Sequence, residues 1–221
     1  MKTGILYIVS TPIGNLEDIT FRAVRILKEA DVIAAEDTRK TRVLLGAYNI
    51  SSSLTSYHSY NIERKTPQLI KILLEGKNIA LVSDSGTPGI SDPGTKLIKT
   101  CIENNIIVVP VPGPTALIAA LVPSGKPTHK FVFEGFLSNK SARRRKQLEL
   151  LKTEERTVII YESPHRILKF LKDFIDICGD REIVVAREIT KKFEEIRREK
   201  AVRQLEHFSE QKPRGEFIIV F

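Results

Sequence analysis

The chain is poor in cysteine and histidine, with two cysteines and four histidines among 221 residues. Cys101 and Cys178 are far apart and belong to no CxxC or Cys/His cluster, which is typical of reduced thiols in a cytosolic protein. None of the histidines has the spacing of a metal ligand. The sequence therefore predicts a cytoplasmic protein without a metal centre.

Long hydrophobic runs are also missing. No apolar run approaches the roughly 18 residues that a membrane span needs. The N-terminal stretch MKTGILYIVSTPIGN contains a short apolar run, but Pro12 and Gly14 interrupt it at once. It fits a buried first strand better than a signal peptide, so no contact with a membrane is expected.

Three common site motifs are absent. The sequence has no GxxxxGK[ST], and no GxGxxG follows its first apolar run, which excludes a Walker-type phosphate loop and an ordinary dinucleotide fold. The stretch GISDP at 89–93 fails the GxSxG nucleophile elbow because Pro93 replaces the last glycine. A glycine- and proline-rich site without phosphate-binding motifs favours a small ligand that is recognised through backbone groups and close apolar contact.

Apolar runs alternate with amphipathic segments along the first half, a pattern typical of a parallel, doubly wound sheet. The stretch VPSGKPTHK at 122–130 interrupts this alternation and is predicted to be a linker. Beyond it, longer strand runs with short turns predict a mixed sheet. We therefore expect two α/β domains, an N-terminal one over 1–122 with a parallel sheet and a C-terminal one over 123–221.

The predicted elements can be placed on the sequence. Thr20 is expected to cap a helix, Gly76 to follow the end of another, and Pro114 to lie in the first turn of a third. The predicted strands are 4–10, 31–37, 78–84, 106–111, 131–136, 156–162, 181–188, 193–199 and 216–221, and the predicted helices are 20–30, 38–45, 62–76, 94–105, 113–122, 142–152, 165–178 and 201–208.

Four unusual loops follow strands of the first half: STPIGN, AEDTRKT, SDSGTPGISDPG and PVPGPTA. Ligands of parallel sheets bind at the carboxyl ends of the strands, so the four loops predict one shared site. Asp84 either accepts hydrogen bonds from a ligand or holds its own turn, and Ser91 and Asp92 either cap the next helix or contact a substrate.

Charge is distributed unevenly along the chain. The formal net charge is +8, with +2 on residues 1–122 and +6 on residues 123–221. Charge alone fits a polyanionic partner and an ordinary basic protein about equally well. If the partner is a polyanion, the second half is the more favourable face for it.

Six segments together resemble the tetrapyrrole-methylase superfamily, the class III S-adenosylmethionine-dependent methyltransferases. They are STPIGNLEDIT (10–20), AEDTRKT (35–41), LVSDSGTPGISDPG (81–94), VPVPGPTA (109–116), YESPHRI (161–167) and RGEF (214–217). Within the superfamily, the chain resembles the branch that methylates small-subunit ribosomal RNA. The resemblance covers nearly the whole chain in order.

The resemblance implies a fold, a cofactor and a substrate. Two α/β domains would hold S-adenosyl-L-methionine in the cleft between them, usually in a homodimer. The reaction would be 2′-O-methylation of a cytidine ribose in the decoding region of small-subunit ribosomal RNA, either as RNA or as the assembled 30S subunit. The implied cofactor site comprises Pro12, Ile13, Gly14, Asp84, Gly86, Thr87, Ile90, Gly113, Pro114, Thr115, Ala116, Tyr161, Glu162, Ala186, Arg187, Pro213, Arg214 and Gly215.

Charged residues supply candidates for catalysis and RNA binding. Glu36 or Asp37, or alternatively His165, would accept the ribose proton or position the ribose. A basic cluster at a predicted helix start opposes the helix dipole, which phosphate contacts would explain. The RNA candidates are Arg39, Lys40, Arg143, Arg144, Arg145 and Lys146.

Two other functions compete with this hypothesis. One is C-methylation of a porphyrin or corrin precursor, but TPIGN stands where that branch has GPGD. The other is a non-catalytic RNA-binding module, against which the intact loops at all four strand ends argue.

Overall fold

The predicted strands and helices of the first half build a unit of their own. The computed structural model describes residues 2–210 and 212–221. The chain divides into two compact units, the first ending at Thr115 and the second spanning Ala116–Phe221. Both are α/β units, as predicted.

The first unit alternates strand and helix along the chain. Thr20 caps α1 as predicted, because its side-chain oxygen accepts a hydrogen bond from the Ala23 amide at 3.1 Å. Gly76 follows α3 with a φ of 87°, a conformation that glycine adopts without strain. The elements are β1 (Ile5–Val9), α1 (Phe21–Glu29), β2 (Val32–Ala35), α2 (Thr38–Ala47), β3 (Ser53–Ser56), α3 (Ile62–Leu74), β4 (Ile79–Val82), α4 (Thr95–Glu103) and β5 (Ile107–Val111).

The sheet of this unit is parallel and covered on both faces. Its strand order is β3-β2-β4-β1-β5, and every pairing is parallel. Successive residues of β4 enter different cores: Ile79 and Leu81 join one hydrophobic cluster, and Ala80 and Val82 join another. Burial on both faces explains why the inner strands β1, β2 and β4 are continuous apolar runs.

The second unit contains a mixed sheet, as the longer strand runs predict. Its strand order is β6-β7-β10-β8-β9, in which β6 and β7 are parallel and the other pairings are antiparallel. Phe170 and Phe174 of α7 lie in the core with Val158 and Ile160 of β7. The elements are α5 (Ala116–Leu121), β6 (Phe131–Phe136), α6 (Ser141–Leu151), β7 (Thr157–Glu162), α7 (Ile167–Cys178), β8 (Glu182–Arg187), β9 (Glu195–Lys200), α8 (Ala201–Glu210) and β10 (Phe217–Val220).

Three details differ from the prediction. Strand β3 is absent from the predicted set, since Ser53–Ser56 is polar and short. Helix α5 begins at Ala116, so the prediction that Pro114 lies in its first turn is wrong. The units divide before α5 rather than after residue 122, because α5 packs on β7 and β10 of the second unit.

Within residues 2–210 and 212–221, no helix is both long enough and apolar enough to cross a membrane.

Candidate active site

The loops that follow β1, β4 and β5 are hydrogen-bonded to one another within the first unit. Thr11 and Gly86 form an isolated antiparallel bridge, with N···O distances of 2.8 and 3.0 Å. The hydroxyls of Ser10 and Thr87 lie 2.8 Å apart, and the Thr87 hydroxyl also donates to the Pro114 carbonyl at 3.3 Å. Three of the four predicted site loops are therefore joined by direct hydrogen bonds.

Small residues make this close approach possible. A Cβ placed on Gly113 would lie 2.9 Å from the Cβ of Ser10, which is closer than van der Waals contact allows. Gly86 has a φ of 83°, and its added Cβ would lie 3.4 Å from the side chain of Ile13. Gly113 thus leaves exposed backbone on the PGPTA loop, which suits recognition through amide and carbonyl groups, whereas Gly86 is buried and bonded to Thr11.

The fourth loop, after β2, joins the others through Asp84. One carboxylate oxygen of Asp84 accepts the Asp37 amide at 2.8 Å, and the other accepts the Lys40 ammonium at 2.8 Å. In return, the Asp84 backbone amide favours the carboxylate form of Glu36 and lowers its pKa. The carboxylate of Asp84 thus holds two loops together, and its predicted contact with a cofactor stays a prediction.

Glu36 and Asp37 are adjacent but lie in different environments. Burial and the nearby charge of Asp84 raise the pKa of Glu36 above its ordinary value of 4.5, although the Asp84 amide, Lys40 and His58 oppose this rise. Asp37 caps α2, since it accepts the Arg39 amide at 2.9 Å, and it also pairs with the Arg39 guanidinium at 2.7 Å. These contacts with Arg39 hold the pKa of Asp37 well below its usual range. Of these two carboxylates, Glu36 has the environment expected of a general base.

The remaining predicted residues of the first unit lie on the same loops. Ile13 is buried, and Ile90 is exposed. The prediction that Ser91 or Asp92 caps the next helix is wrong, because α4 begins at Thr95 after Gly94 and has no side-chain cap. The others are Pro12, Gly14, Thr115 and Ala116, the last of which begins the second unit.

In the second unit, the predicted segments meet at one edge of the sheet. Because β10 is antiparallel to its neighbours, its first residue, Phe217, pairs with Glu162 at the end of β7 and with Arg187 at the end of β8. Pro213, Arg214 and Gly215 directly precede β10, and Tyr161 and Ala186 directly precede the two paired residues.

A cavity of about 590 Å³ opens at this edge. This volume lies in the range of small-molecule sites, and both aromatic and charged side chains line it. Four predicted cofactor residues are among its walls, namely Arg187, Pro213, Arg214 and Gly215. Phe193 and His207 also line it, although no sequence motif marks them.

Two predicted cofactor residues have structural partners of their own. The Tyr161 hydroxyl accepts the Leu117 amide at 3.0 Å and so supports the first turn of α5. The Glu162 side chain is buried and paired with Arg166, and it accepts the Ser163 amide at 2.7 Å. Burial raises the pKa of Glu162. We expect any ligand contact of Glu162 to involve its backbone.

The basic cluster of α6 does not all face outwards. Arg144 is buried, with 3% of its surface exposed, and its guanidinium lies 2.6 Å from Asp173. Arg145 pairs with Asp173 and with Asp176, at 3.0 Å each. The prediction that Arg144 contacts RNA phosphate is therefore wrong, while Arg143 and Lys146 are exposed on the same helix.

In the part of the chain that the structure describes, no three or more His, Cys, Asp or Glu side chains form a group that could hold a metal ion.

Comparisons with known proteins identify the family to which the chain belongs. Residues 5–203 match the model of the Tetrapyrrole (Corrin/Porphyrin) Methylases. The chain belongs to the tetrapyrrole methylase family. Over 98% of its length it is 52% identical to ribosomal RNA small subunit methyltransferase I of Synechocystis sp., covering 78% of that protein. It is 48% identical, also over 98%, to the protein of the same name from Thermotoga maritima, covering 97% of it.

The fold of a solved tetrapyrrole methylase is also similar. Uroporphyrin-III C-methyltransferase from Thermus thermophilus, solved in complex with S-adenosyl homocysteine, matches with a TM-score of 0.70 at 20% identity. The match covers 98% of this chain and 97% of that one. The predicted family and the predicted pair of α/β domains are confirmed.

Proposed function

We infer that this tetrapyrrole methylase is an S-adenosylmethionine-dependent methyltransferase of small-subunit ribosomal RNA, and we propose that it methylates the 2′-oxygen of a cytidine ribose in the decoding region. The observation that carries the proposal is identity of about half over nearly the whole chain to ribosomal RNA small subunit methyltransferases I. The formal charge of +8 fits a polyanionic substrate.

The residues present fit S-adenosylmethionine. The exposed backbone at Gly113, beside the hydrogen-bonded loops, suits a ligand that carries no phosphate. The cavity beside Arg187 and Gly215 has the size that a small molecule needs. When bound, the cofactor supplies an activated methyl group on a sulfonium centre. We propose that it contacts the eighteen residues named from the resemblance, with Glu162 and Asp84 contributing through their backbone.

Glu36 would serve as the general base. The Glu36 carboxylate would accept the proton of the ribose 2′-hydroxyl, and the freed electron pair of the oxygen would take up the methyl group that the cofactor would supply from its sulfonium. The burial that raises the pKa of Glu36 makes this carboxylate a stronger proton acceptor. Lys40, held by Asp84 at the same strand ends, would stabilise negative charge that develops on the oxygen.

Exposed basic residues would bind the RNA backbone. Arg39 is largely exposed even though it pairs with Asp37, and Arg143 and Lys146 lie on the outer face of α6. Contacts of these side chains with phosphate would orient the RNA without reading its sequence. We propose that the target cytidine is splayed out of its stack to reach Glu36.

Two further properties belong to the proposal. We propose that the chain acts in the cytoplasm, where ribosomal RNA is modified, and as a homodimer, as the family resemblance implies. Sedimentation equilibrium of the purified protein tests the dimer, and a mass equal to that of one chain at micromolar concentration would contradict it.

The experiment that tests the function offers labelled S-adenosylmethionine with three substrates in parallel. They are small ribosomal subunits from a strain that lacks the enzyme, the RNA extracted from them, and a porphyrin precursor. Label is expected in the RNA, at a cytidine whose 2′-O-methyl group makes the adjacent phosphodiester bond resistant to alkaline cleavage. Label only in the porphyrin would establish the competing C-methyltransferase function, and cofactor binding without any transfer would favour the non-catalytic module.

A further inference from the structure

His58 lies just beyond the end of β3, the strand that the sequence did not predict. Strand β3 lies at the edge of the sheet and pairs with β2, with Ser56 opposite Ala35. The Tyr57 amide continues this ladder by donating to the Ala35 carbonyl at 2.7 Å. Glu36 and His58 therefore emerge from neighbouring strand ends, just beyond the last paired positions.

Asn61 fixes the orientation and the tautomer of the His58 ring. The backbone amide of His58 donates to Oδ1 of Asn61 at 2.9 Å, so this atom of the side-chain amide is the oxygen. The Nδ2 group donates to the Ser56 carbonyl and hydroxyl and lies 3.2 Å from Nε2 of His58. Because an NH₂ group can only donate, Nε2 must accept, and the neutral ring carries its proton on Nδ1.

This Nδ1–H group is buried, and it has no hydrogen-bond partner among residues 2–210 and 212–221. Buried donors are nearly always satisfied in folded proteins, so an unsatisfied one beside a site requires an explanation. The Tyr60 ring stands edge-on to His58, with centroids 6.1 Å apart, and offers it no lone pair in the ring plane. The Glu36 carboxylate directly follows the last paired residue of β2, and so lies at the same strand ends as the His58 ring.

We propose that His58 is a positioning residue for Glu36, and that its Nδ1–H group donates to the Glu36 carboxylate in the complex with RNA. The proposal rests on the assignment of Glu36 as the base of the proposed function. The hydrogen bond would occupy one carboxylate oxygen and direct the other towards the ribose hydroxyl. His58 itself neither gains nor loses a proton in the step.

Other charged groups face Glu36 from each neighbouring element. Asp84 follows β4 and disfavours the carboxylate form by repulsion, whereas Lys40 on α2 favours it by attraction. Asp37 is engaged with Arg39. Removing the donor at position 58 leaves these groups in place, so its effect on Glu36 is measurable by itself.

Two substitutions of His58 separate the positioning role from a purely structural one. In His58→Asn, the side-chain amide can occupy the place of Nδ1 and donate to Glu36, whereas in His58→Gln it occupies the place of Nε2 and meets Asn61. We expect His58→Gln to lower kcat about tenfold, less than the ~10²- to 10⁴-fold contribution of a general base, and to leave KM for cofactor and RNA unchanged. His58→Asn should restore most of the catalytic rate.

A structural role would give the opposite order, because Gln preserves the hydrogen bond with Asn61 and Asn does not. That order, or an equal decrease of kcat in both variants, would overturn the proposal. His129→Gln, at an exposed position of the second unit, serves as the control. Circular dichroism melting of all variants identifies any that fail to fold.

A second measurement does not depend on methyl transfer. Carbon-13 NMR titration of the Glu36 carboxyl in the complex with RNA should give a higher pKa in His58→Gln than in the wild type, because the variant lacks a donor that favours the charged form. His58→Asn should stay near the wild type. If the wild-type chain methylates no substrate, the proposed function fails, but this titration still decides the role of His58. An unchanged Glu36 pKa in His58→Gln would refute that role.

Discussion

Residues of the site differ most clearly in the partners that their side chains contact. Glu36 and Asp37 are chemically alike and one peptide bond apart, yet the first is half-buried beside Asp84 and the second is held by Arg39. The sequence alone offers both as bases, since only the folded chain reveals which carboxylate is already occupied. The choice of Glu36 leads to a direct test.

Glu36→Gln should lower kcat by roughly 10²-fold or more, because an amide cannot accept the ribose proton. Cofactor affinity, measured by calorimetry, should change little. Asp37→Asn is the matched control and should retain most activity while weakening the start of α2. Comparable decreases of kcat in the two variants would argue against the assignment.

The raised pKa of Glu36 also predicts a pH dependence. The base acts only when it is deprotonated, so kcat/KM should fall as the pH drops through the pKa of Glu36. Since this pKa lies above the ordinary 4.5, activity should disappear at higher pH than an exposed glutamate would allow. An acid limb at or below pH 4.5 in the rate profile is incompatible with this prediction.

Glycines offer a second residue-level test. Gly113→Ala should destabilise the chain by about 1–3 kcal/mol, because the new methyl group meets Ser10 at 2.9 Å. Gly46→Ala should instead stabilise it by about 0.5–1 kcal/mol, because the position is inside α2 with nothing within 4 Å. Urea unfolding measures both changes, and a neutral Gly113→Ala would mean that the loops are not tightly packed there.

At the level of elements, α6 combines two functions on two faces. Arg144 and Arg145 point towards α7 and pair with Asp173, whereas Arg143 and Lys146 face solvent. The run ARRRK is uniformly basic in the sequence, but the helical period divides it. The inner face stabilises the packing of two helices, and the outer face is open to a polyanion.

Asp173→Ala should cost about 3 kcal/mol or more, because it leaves the buried guanidinium of Arg144 without its partner. Burial raises the pKa of Asp173, but hydrogen bonds from Arg144 and Arg145 outweigh it, so the net shift is below 3.8. The stabilisation is therefore complete above pH 3.8 and is lost as the pH falls through the lower, folded-state pKa. Acid unfolding of wild type and variant should converge at low pH; a constant difference would contradict this.

The sequence predicts elements with strong apolar periodicity and misses those without it. Apolar runs such as Ile79–Val82 and caps such as Thr20 are local signals, and the structure confirms both. Strand β3 has one large apolar residue, Leu54, and forms because β2 offers it an edge. His58 and Asn61 depend on that strand, so no local pattern could reveal them. The positions of the site loops are predictable from local patterns, but the hydrogen bonds of Asp84 are not, because its partners are distant in sequence.

For the whole molecule, net charge would govern the encounter with the proposed RNA substrate. A protein that neutralises phosphates releases counterions, so its affinity should fall steeply with salt. Replacing Arg143 and Lys146 by Ala should weaken RNA binding and reduce the slope of log K against log salt by about one for each phosphate that is no longer neutralised. Stability should not change, since both side chains are exposed. A slope equal to that of the wild type would show that Arg143 and Lys146 of α6 do not contact the RNA.

The two cysteines, one buried in each unit, give the chain a pair of internal reporters. Burial raises the pKa of Cys101 to about 12 and raises that of Cys178 as well, so neither is a reactive thiolate in the folded protein. An alkylating reagent would therefore label each one only when its own unit opens. Peptide mass spectrometry over a denaturant series would then measure the opening of each unit separately, without any engineered probe.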